Sequence, residues 1–230
     1  MTLMLTCASR RTAAALLALA ACLAVRAAAA QPAGLDSALF DAAEAGDAAA
    51  VSSLVGRGAS VRARDVSGRT PLLAATYRNR VDAARVLIAA GADVNAQDEL
   101  RNSAFLLAGA RGYDEILRMT LAAGADLAST NRYGGTALIP ACHYGHVETV
   151  RLLLGTRIDV NHVNNLGWTA LLEAVILGNG GSAHTEIVRM LVAAGADVNL
   201  PDRQGVTPLA HARSRGYGEI ARILQEKGGR

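Results

Sequence analysis

Aromatic side chains are scarce in this sequence: one Trp, two Phe and five Tyr make 3% of 230 residues, although hydrophobic residues reach 51%. A core rich in Ala and Leu but poor in rings suits closely stacked helices better than a sheet sandwich. Cysteine is also nearly missing. Cys7 and Cys22 lie in the first 30 residues, which leaves Cys142 alone and no internal disulfide to staple the fold. Cys142 sits among small apolar residues and reads as a packed core thiol. A real charge excess is lacking too. Residues 1–30 hold Arg10, Arg11 and Arg26 and no acid, whereas residues 31–230 hold 20 basic and 20 acidic side chains. The formal +3 and the pI near 9.0 therefore come from the leader, and they give no support for binding to nucleic acid or an anionic membrane. The apolar run at 12–25 has 14 residues, short of the roughly 20 that span a bilayer, so no membrane span is expected.

The leader has the three parts of a bacterial export signal: a positive start, a short apolar centre and a small-residue cleavage site. Ala28 and Ala30 are the small residues, which puts cleavage before Gln31 and the mature chain in the periplasm. LAAC at 19–22 resembles a lipobox, which would anchor an envelope lipoprotein through Cys22, although Leu23 after the cysteine is atypical. SRR at 9–11 lacks the aromatic of a twin-arginine signal, with Ala13 in its place. Secretion out of the cell is a further alternative, and a plain N-terminal helix or an uncleaved anchor is the reading without a cleaved signal.

What the chain has instead of rings and disulfides is repetition. AAGADVN fills residues 89–95 and returns at 193–199, with AAGADLA at 122–128. Asp65, Asp98, Asn131 and Asn164 follow at steps of 33, and Asp202 follows after 38. Each opens a similar phrase (DVSGRTPLLAA, DELRNSAFLLA, NRYGGTALIPA, NNLGWTALLEA, DRQGVTPLAHA) that leads into an apolar stretch at helical spacing. The Asp or Asn begins a turn by accepting from backbone two residues on. Gly68, Gly134 or Gly135, Gly167 and Gly205 supply positive φ in that turn, and Asn102 stands for the glycine in the third unit. Thr70, Thr136, Thr169 and Thr207 are N-caps, with Ser103 in the third unit, and Pro71 and Pro208 fall at the first helical position. A glycine such as Gly91 ends the second helix left-handed. Units of this size bury little alone and must stack, so the expectation is an all-α repeat solenoid.

The phrases resemble ankyrin repeats, with GRTPLLAA, GHVETVRLLL (145–154), EIVRMLVAAGADVN (186–199) and GVTPLA (205–210) the closest matches. The resemblance implies an ankyrin-repeat stack: a helix–turn–helix plus a β-turn or hairpin loop per unit. After a linker at 31–35, six units follow at 36–64, 65–97, 98–130, 131–163, 164–201 and 202–229. The histidine of the family's T-P-L-H is replaced by Leu73, Leu106, Ile139, Leu172 and Ala210, which removes a side chain that often ties the turn. The longer step of 38 contains a five-residue insertion within GNGGSAH at 178–184, read as a flexible loop between the two helices of the fifth unit, with an extra contact loop as the alternative. Residues 31–35 and the terminal GGR read as loose.

No nucleophile elbow, zinc-protease helix, phosphate loop or CxxC pair is present, so an enzyme is not expected, and neither is a cofactor. A metal-dependent hydrolase built on His143, His146, His162 and His184 is a rival reading. His146 and His184 fall at the family's G-H position, however, which favours structural roles and no metal. The resemblance implies a protein-binding scaffold whose specificity lies on the concave face. Turn tips contribute Arg69, Leu100, Arg101, Tyr133, Leu166, Trp168 and Arg203, and the first helices contribute Tyr77, Arg78, Arg111, His143, Tyr144, Ile176 and Arg213. Trp168 beside tyrosines and arginines has hot-spot composition, with packing on the neighbouring turn as the alternative. Residues 57–85 hold seven Arg against two Asp, either a solvated face or a seat for an acidic partner. The expected function is a monomeric, non-enzymatic scaffold in the bacterial envelope with an unidentified protein partner. A secreted effector that binds host proteins is the alternative. Resemblance to exported bacterial ankyrin proteins also suggests an accessory role in oxidative-stress defence.

Overall fold

The computed structural model describes residues 34–230. The export-signal reading, with Cys7, Cys22 and the cleavage before Gln31, lies outside them. The described residues form twelve helices and no strand, arranged as six helix–turn–helix pairs. These are α1 (34–45) with α2 (Ala48–Gly56), α3 (Pro71–Tyr77) with α4 (Val81–Ala89), α5 (Ala104–Arg111) with α6 (Asp114–Ala122), α7 (Leu138–Tyr144) with α8 (Val147–Leu154), α9 (Ala170–Ile176) with α10 (Ser182–Ala193), and α11 (Pro208–Ser214) with α12 (Gly218–Glu226). First helices pack on first helices and second on second, so the core runs the length of the stack.

The five turns confirm the repeat register at atomic level. In each, one side-chain oxygen accepts two backbone N–H groups: Asp65 from Ser67 and Arg69, Asp98 from Leu100 and Asn102, Asn131 from Tyr133 and Gly135, Asn164 from Leu166 and Trp168, Asp202 from Gln204 and Val206. Neighbouring turns are joined by Glu99 N–H to the Ser67 carbonyl (3.2 Å) and Asn165 N–H to the Tyr133 carbonyl (2.9 Å). The positive φ of the third unit's turn belongs to Arg101 (φ 60°) rather than Asn102, because the turn counts three residues from its Asp. In the fourth unit's turn it belongs to Gly134 (φ 72°) and not Gly135.

Ala75, Ala108, Ala141, Ala174 and Ala212 occupy one register of the first helices and are all fully buried. The missing bulk lets those helices approach. A Cβ on Gly109 would fall 2.8 Å from the Ala137 Cβ. Leucines such as Leu72, Leu138 and Leu171 fill the space toward the second helices, and truncating one to Ala would cost about 3 kcal/mol. Cys142 is fully buried in the same layer, as the sequence suggested.

The asparagine of AAGADVN also has a reason. Asn95 donates to the Gly124 carbonyl and accepts from Asp126 N–H, which ties its helix exit to the next unit's. Asn161 and Asn199 repeat the bridge. Ala128 stands at this place in AAGADLA and has no side chain to make it. The Asn199 bridge reaches Arg230 N–H at 3.0 Å, and Thr207 donates to the Arg230 carbonyl, so the terminal GGR is fastened, not loose.

The insertion at 178–184 is likewise ordered. Part of it adds a turn to α10, which has 12 residues against nine in α4 and α6. The rest is pinned: Tyr217 donates to the Gly178 carbonyl at 2.9 Å, and the His184 ring nitrogens lie 3.1 Å from Asn179 Oδ1 and 2.9 Å from the His143 carbonyl.

Thr70, Ser103, Thr169 and Thr207 cap their helices by accepting from the N–H three residues on. Thr136 does not. Elsewhere the N–H four residues after the cap donates to the cap carbonyl, but in α7 that residue is Pro140, which has no N–H. Ile139 N–H turns to the Thr136 carbonyl instead (3.3 Å), and the Thr136 hydroxyl is left buried without a partner. Thr70→Val is therefore expected to cost about 1 kcal/mol, whereas Thr136→Val is expected to be neutral or stabilising because an unpaired buried hydroxyl is removed. Urea unfolding midpoints of the two variants would check this, and equal losses would contradict it.

Candidate functional site

The turn tips and the ends of the first helices enclose a groove of about 930 Å³ that spans the second to fifth units. The turn wall carries Leu100, Arg132, Tyr133 and Leu166; the helix wall carries Tyr77, Arg111, His143, Tyr144 and Leu177. The turns hold their side chains outward because each backbone is clamped on its Asp or Asn. The helix wall is steadied by the contacts that open each second helix. Arg80 Nε donates to the Glu44 carbonyl (2.9 Å), His184 meets the His143 carbonyl, and the His146 ring packs so close to Gly112 that a Cβ there would fall 2.8 Å from its Nδ1.

Glu173 lies at the groove floor and is 6% exposed. Its Oε1 accepts from Asn164 Nδ2 at 3.1 Å, and its Oε2 is 3.6 Å from His143 Nδ1. Burial raises its pKa from 4.5 to about 7, against the smaller opposing effect of the Asn164 amide. Burial, with the nearby His184, lowers the His143 pKa. Both shifts favour the neutral forms, so burial works against an ion pair here. Burial, then Glu173, push the Cys142 thiol well up, which leaves it inert. Tyr77 adds a polar link, donating to Asp98 Oδ2 (3.1 Å) and accepting from Asn102 Nδ2 (2.9 Å).

Models of ankyrin repeats match residues 3–98 and 105–202 (three copies) and residues 181–225 (many copies). The chain belongs to the ankyrin-repeat family. An ankyrin repeat domain from Acinetobacter baumannii AYE is similar at 56% identity and TM-score 0.82, over 84% of this chain and 98% of that one. The ankyrin repeat protein EF0377 is similar at 40% identity and TM-score 0.80, over 83% and 98%. The ankyrin repeat domain of Bcl-3, a member of the IkappaB protein family, is similar at 30% identity and TM-score 0.75, over 84% and 86%. No curated protein matches the chain. Ankyrin repeats are in general protein-interaction modules, and no catalytic family is indicated. No helix among the described residues is long and apolar enough to cross a membrane.

Within the ankyrin stack, seven of the residues expected on the binding face line the groove: Tyr77, Leu100, Arg111, Tyr133, His143, Tyr144 and Leu166. The His143 and Tyr144 rings stack at 4.3 Å. The others lie elsewhere. Arg69 is held by Asp65 (2.6 Å) and Glu44 (3.1 Å) as a tie between units. Arg78 is exposed, 3.9 Å from Glu44. Arg101 reaches Thr130 Oγ1 at 3.2 Å. The Arg203 stem covers Gly167, where a Cβ would fall 2.5 Å from its Cγ. Trp168 is half-buried and does not line the groove. Ile176 is a correction: it is 9% exposed, and the outward side chain is Leu177, one residue later, at the position Tyr144 fills in the unit before. The arginines of 57–85 are mostly occupied as well. Arg64 donates to the Gly68 and Gln97 carbonyls, Arg69 and Arg80 are tied as above, and Arg85 faces Asp82.

The histidines do not converge. His162 Nε2 contacts the Gly134 carbonyl (2.7 Å), and no group of three His, Cys, Asp or Glu among the described residues is placed to share an ion. His211 takes over the turn-tying task of the lost T-P-L-H histidine, with Nε2 2.7 Å from Asp202 Oδ2. Glu173 makes the same nine-residue link to Asn164, so the paired polar residues Asn164/Glu173 and Asp202/His211 were a signal in the sequence.

Because the folded Glu173 binds its proton more tightly than the unfolded one, its contribution is complete below pH 4.5 and is lost as pH rises from 4.5 to about 7. The loss amounts to about 3 kcal/mol. Glu173→Gln keeps an acceptor for Asn164 and is expected to become more stable than the parent across that window, as read by urea midpoints against pH. A difference that stays constant with pH would refute the assignment.

Proposed function

We propose that this ankyrin chain is a non-enzymatic scaffold exported to the bacterial cell envelope, where it holds a protein partner in the concave groove. One observation carries the binding half of this reading. Seven large hydrophobic side chains among the described residues are exposed, and five of them (Leu100, Tyr133, Tyr144, Leu166 and Leu177) line this one groove. Apolar surface gathered in one concave place is the mark of a contact site, and scattered surface is not. Tyrosine fits the task, since it buries much area and loses few rotamers. The export half rests on residues 1–30: arginines without acids, a 14-residue apolar run and Ala28 and Ala30 before Gln31.

The test is affinity capture from envelope extract with the full chain, a Tyr133→Ala/Tyr144→Ala variant and a Trp168→Ala variant, each checked for folding by circular dichroism. A partner is expected with the parent and Trp168→Ala chains and lost with the tyrosine pair. Equal capture by the tyrosine variant would move the site off the groove. Mass spectrometry of the periplasmic chain is expected to give Gln31 as its first residue; an intact leader would remove the export half.

A further inference from the structure

The groove's charges restrict what its partner presents. Each wall carries one arginine at its surface, Arg132 on the turn wall and Arg111 on the helix wall. Neither is paired with a carboxylate among the described residues, although most arginines of the second unit are satisfied within the fold. Arg132 is held in place by its neighbour: its Nη2 donates to the Tyr133 hydroxyl at 3.0 Å, and its guanidinium lies 4.8 Å from that ring's centroid. That leaves its remaining N–H groups for a ligand, on an already ordered side chain.

The lining holds a single acid, Glu173, which is buried at the floor with one oxygen already bonded to Asn164. A basic ligand would have to lose its water to reach it, in a groove that also carries two arginines. The floor offers donors more readily: Asn131 Nδ2 has no acceptor among the described residues, while its Oδ1 is taken by Tyr133 and Gly135 N–H. The same groove presents the exposed faces of Tyr133, Tyr144 and Leu166.

We infer that the groove takes an extended, acidic segment of a protein partner, whose carboxylates meet Arg111 and Arg132 while its apolar side chains cover Tyr133, Tyr144 and Leu166. The inference rests on the groove being the binding face. Charge complementarity of this kind selects the partner and speeds encounter more than it adds affinity, so the interaction weakens with salt.

The probe is a phage library of random dodecapeptides selected against the full chain, followed by fluorescence anisotropy on the enriched peptides. The expected result is enrichment of Asp and Glu together with Leu, Phe or Tyr, and binding that falls as KCl rises. Arg111→Gln/Arg132→Gln is expected to weaken binding about tenfold, and the Glu pair at those positions by more. The acidic-partner inference is overturned if selected peptides are neutral or basic, if acidic ones ignore the arginine variants, or if no peptide is enriched. Neutral or basic peptides that are lost on Tyr133→Ala/Tyr144→Ala leave the groove as the binding face and remove only its acidic partner. Acidic peptides that bind that variant undiminished remove the groove itself.

Discussion

One oxygen atom per turn holds this molecule in register. At the head of each turn an Asp or Asn side chain accepts the N–H groups two and four residues on, so a tight loop exposed to water keeps one shape. That clamp sets where the following helix starts and which turn side chains face the groove. It also lets backbone bonds such as Asn165 to Tyr133 join one turn to the next. Helical propensity alone does not supply this, since α3, α7, α9 and α11 have only seven residues and would not persist in isolation. They persist because their ends are fixed and because a layer of alanines lets each lie close against its neighbours.

Three local rules are broken in or beside the groove. Arg101 adopts a left-handed conformation that the other turns give to glycine. Pro140 costs α7 its side-chain cap and strands the Thr136 hydroxyl. Glu173 is a carboxylate buried in a layer that holds Ala74 and Leu107 at the matching positions. Pro140 and Glu173 themselves line the groove, and Arg101 sits next to its Leu100. A stack selected only for stability would have Gly, a residue with an N–H and an apolar side chain at these three places. Departures of this kind gather where a surface serves a purpose besides folding.

What the sequence makes legible is limited by distance along the chain. The turn oxygens, the caps at Thr70, Thr169 and Thr207 and the helix stop at Gly91 were legible because each involves residues within a few positions of one another. Thr136 misled because its failure depends on a proline four residues on, a local exception that the repeat pattern hides. The GNGGSAH segment was misread as slack because its restraints, Tyr217 and the His143 carbonyl, lie 39 and 41 residues from their partners. Ile176 was assigned to the surface by counting along a helix, yet one residue is about 100° of rotation, and the outward place belongs to Leu177.

By itself the sequence determined the repeat, the order of turn, cap, helix and stop, and the stacked all-α class, since each of these is short-range chemistry written several times over. Only the tertiary structure decided which side chains share a groove. It separated Arg69, tied to Glu44 of the preceding unit, from Arg111 and Arg132, which have no carboxylate partner among the described residues, and it put Glu173 at the floor. These are outcomes of contact between units some 33 residues apart. Exposure, pairing and pKa are set by what packs opposite a residue, and the residue's neighbours in sequence do not specify that.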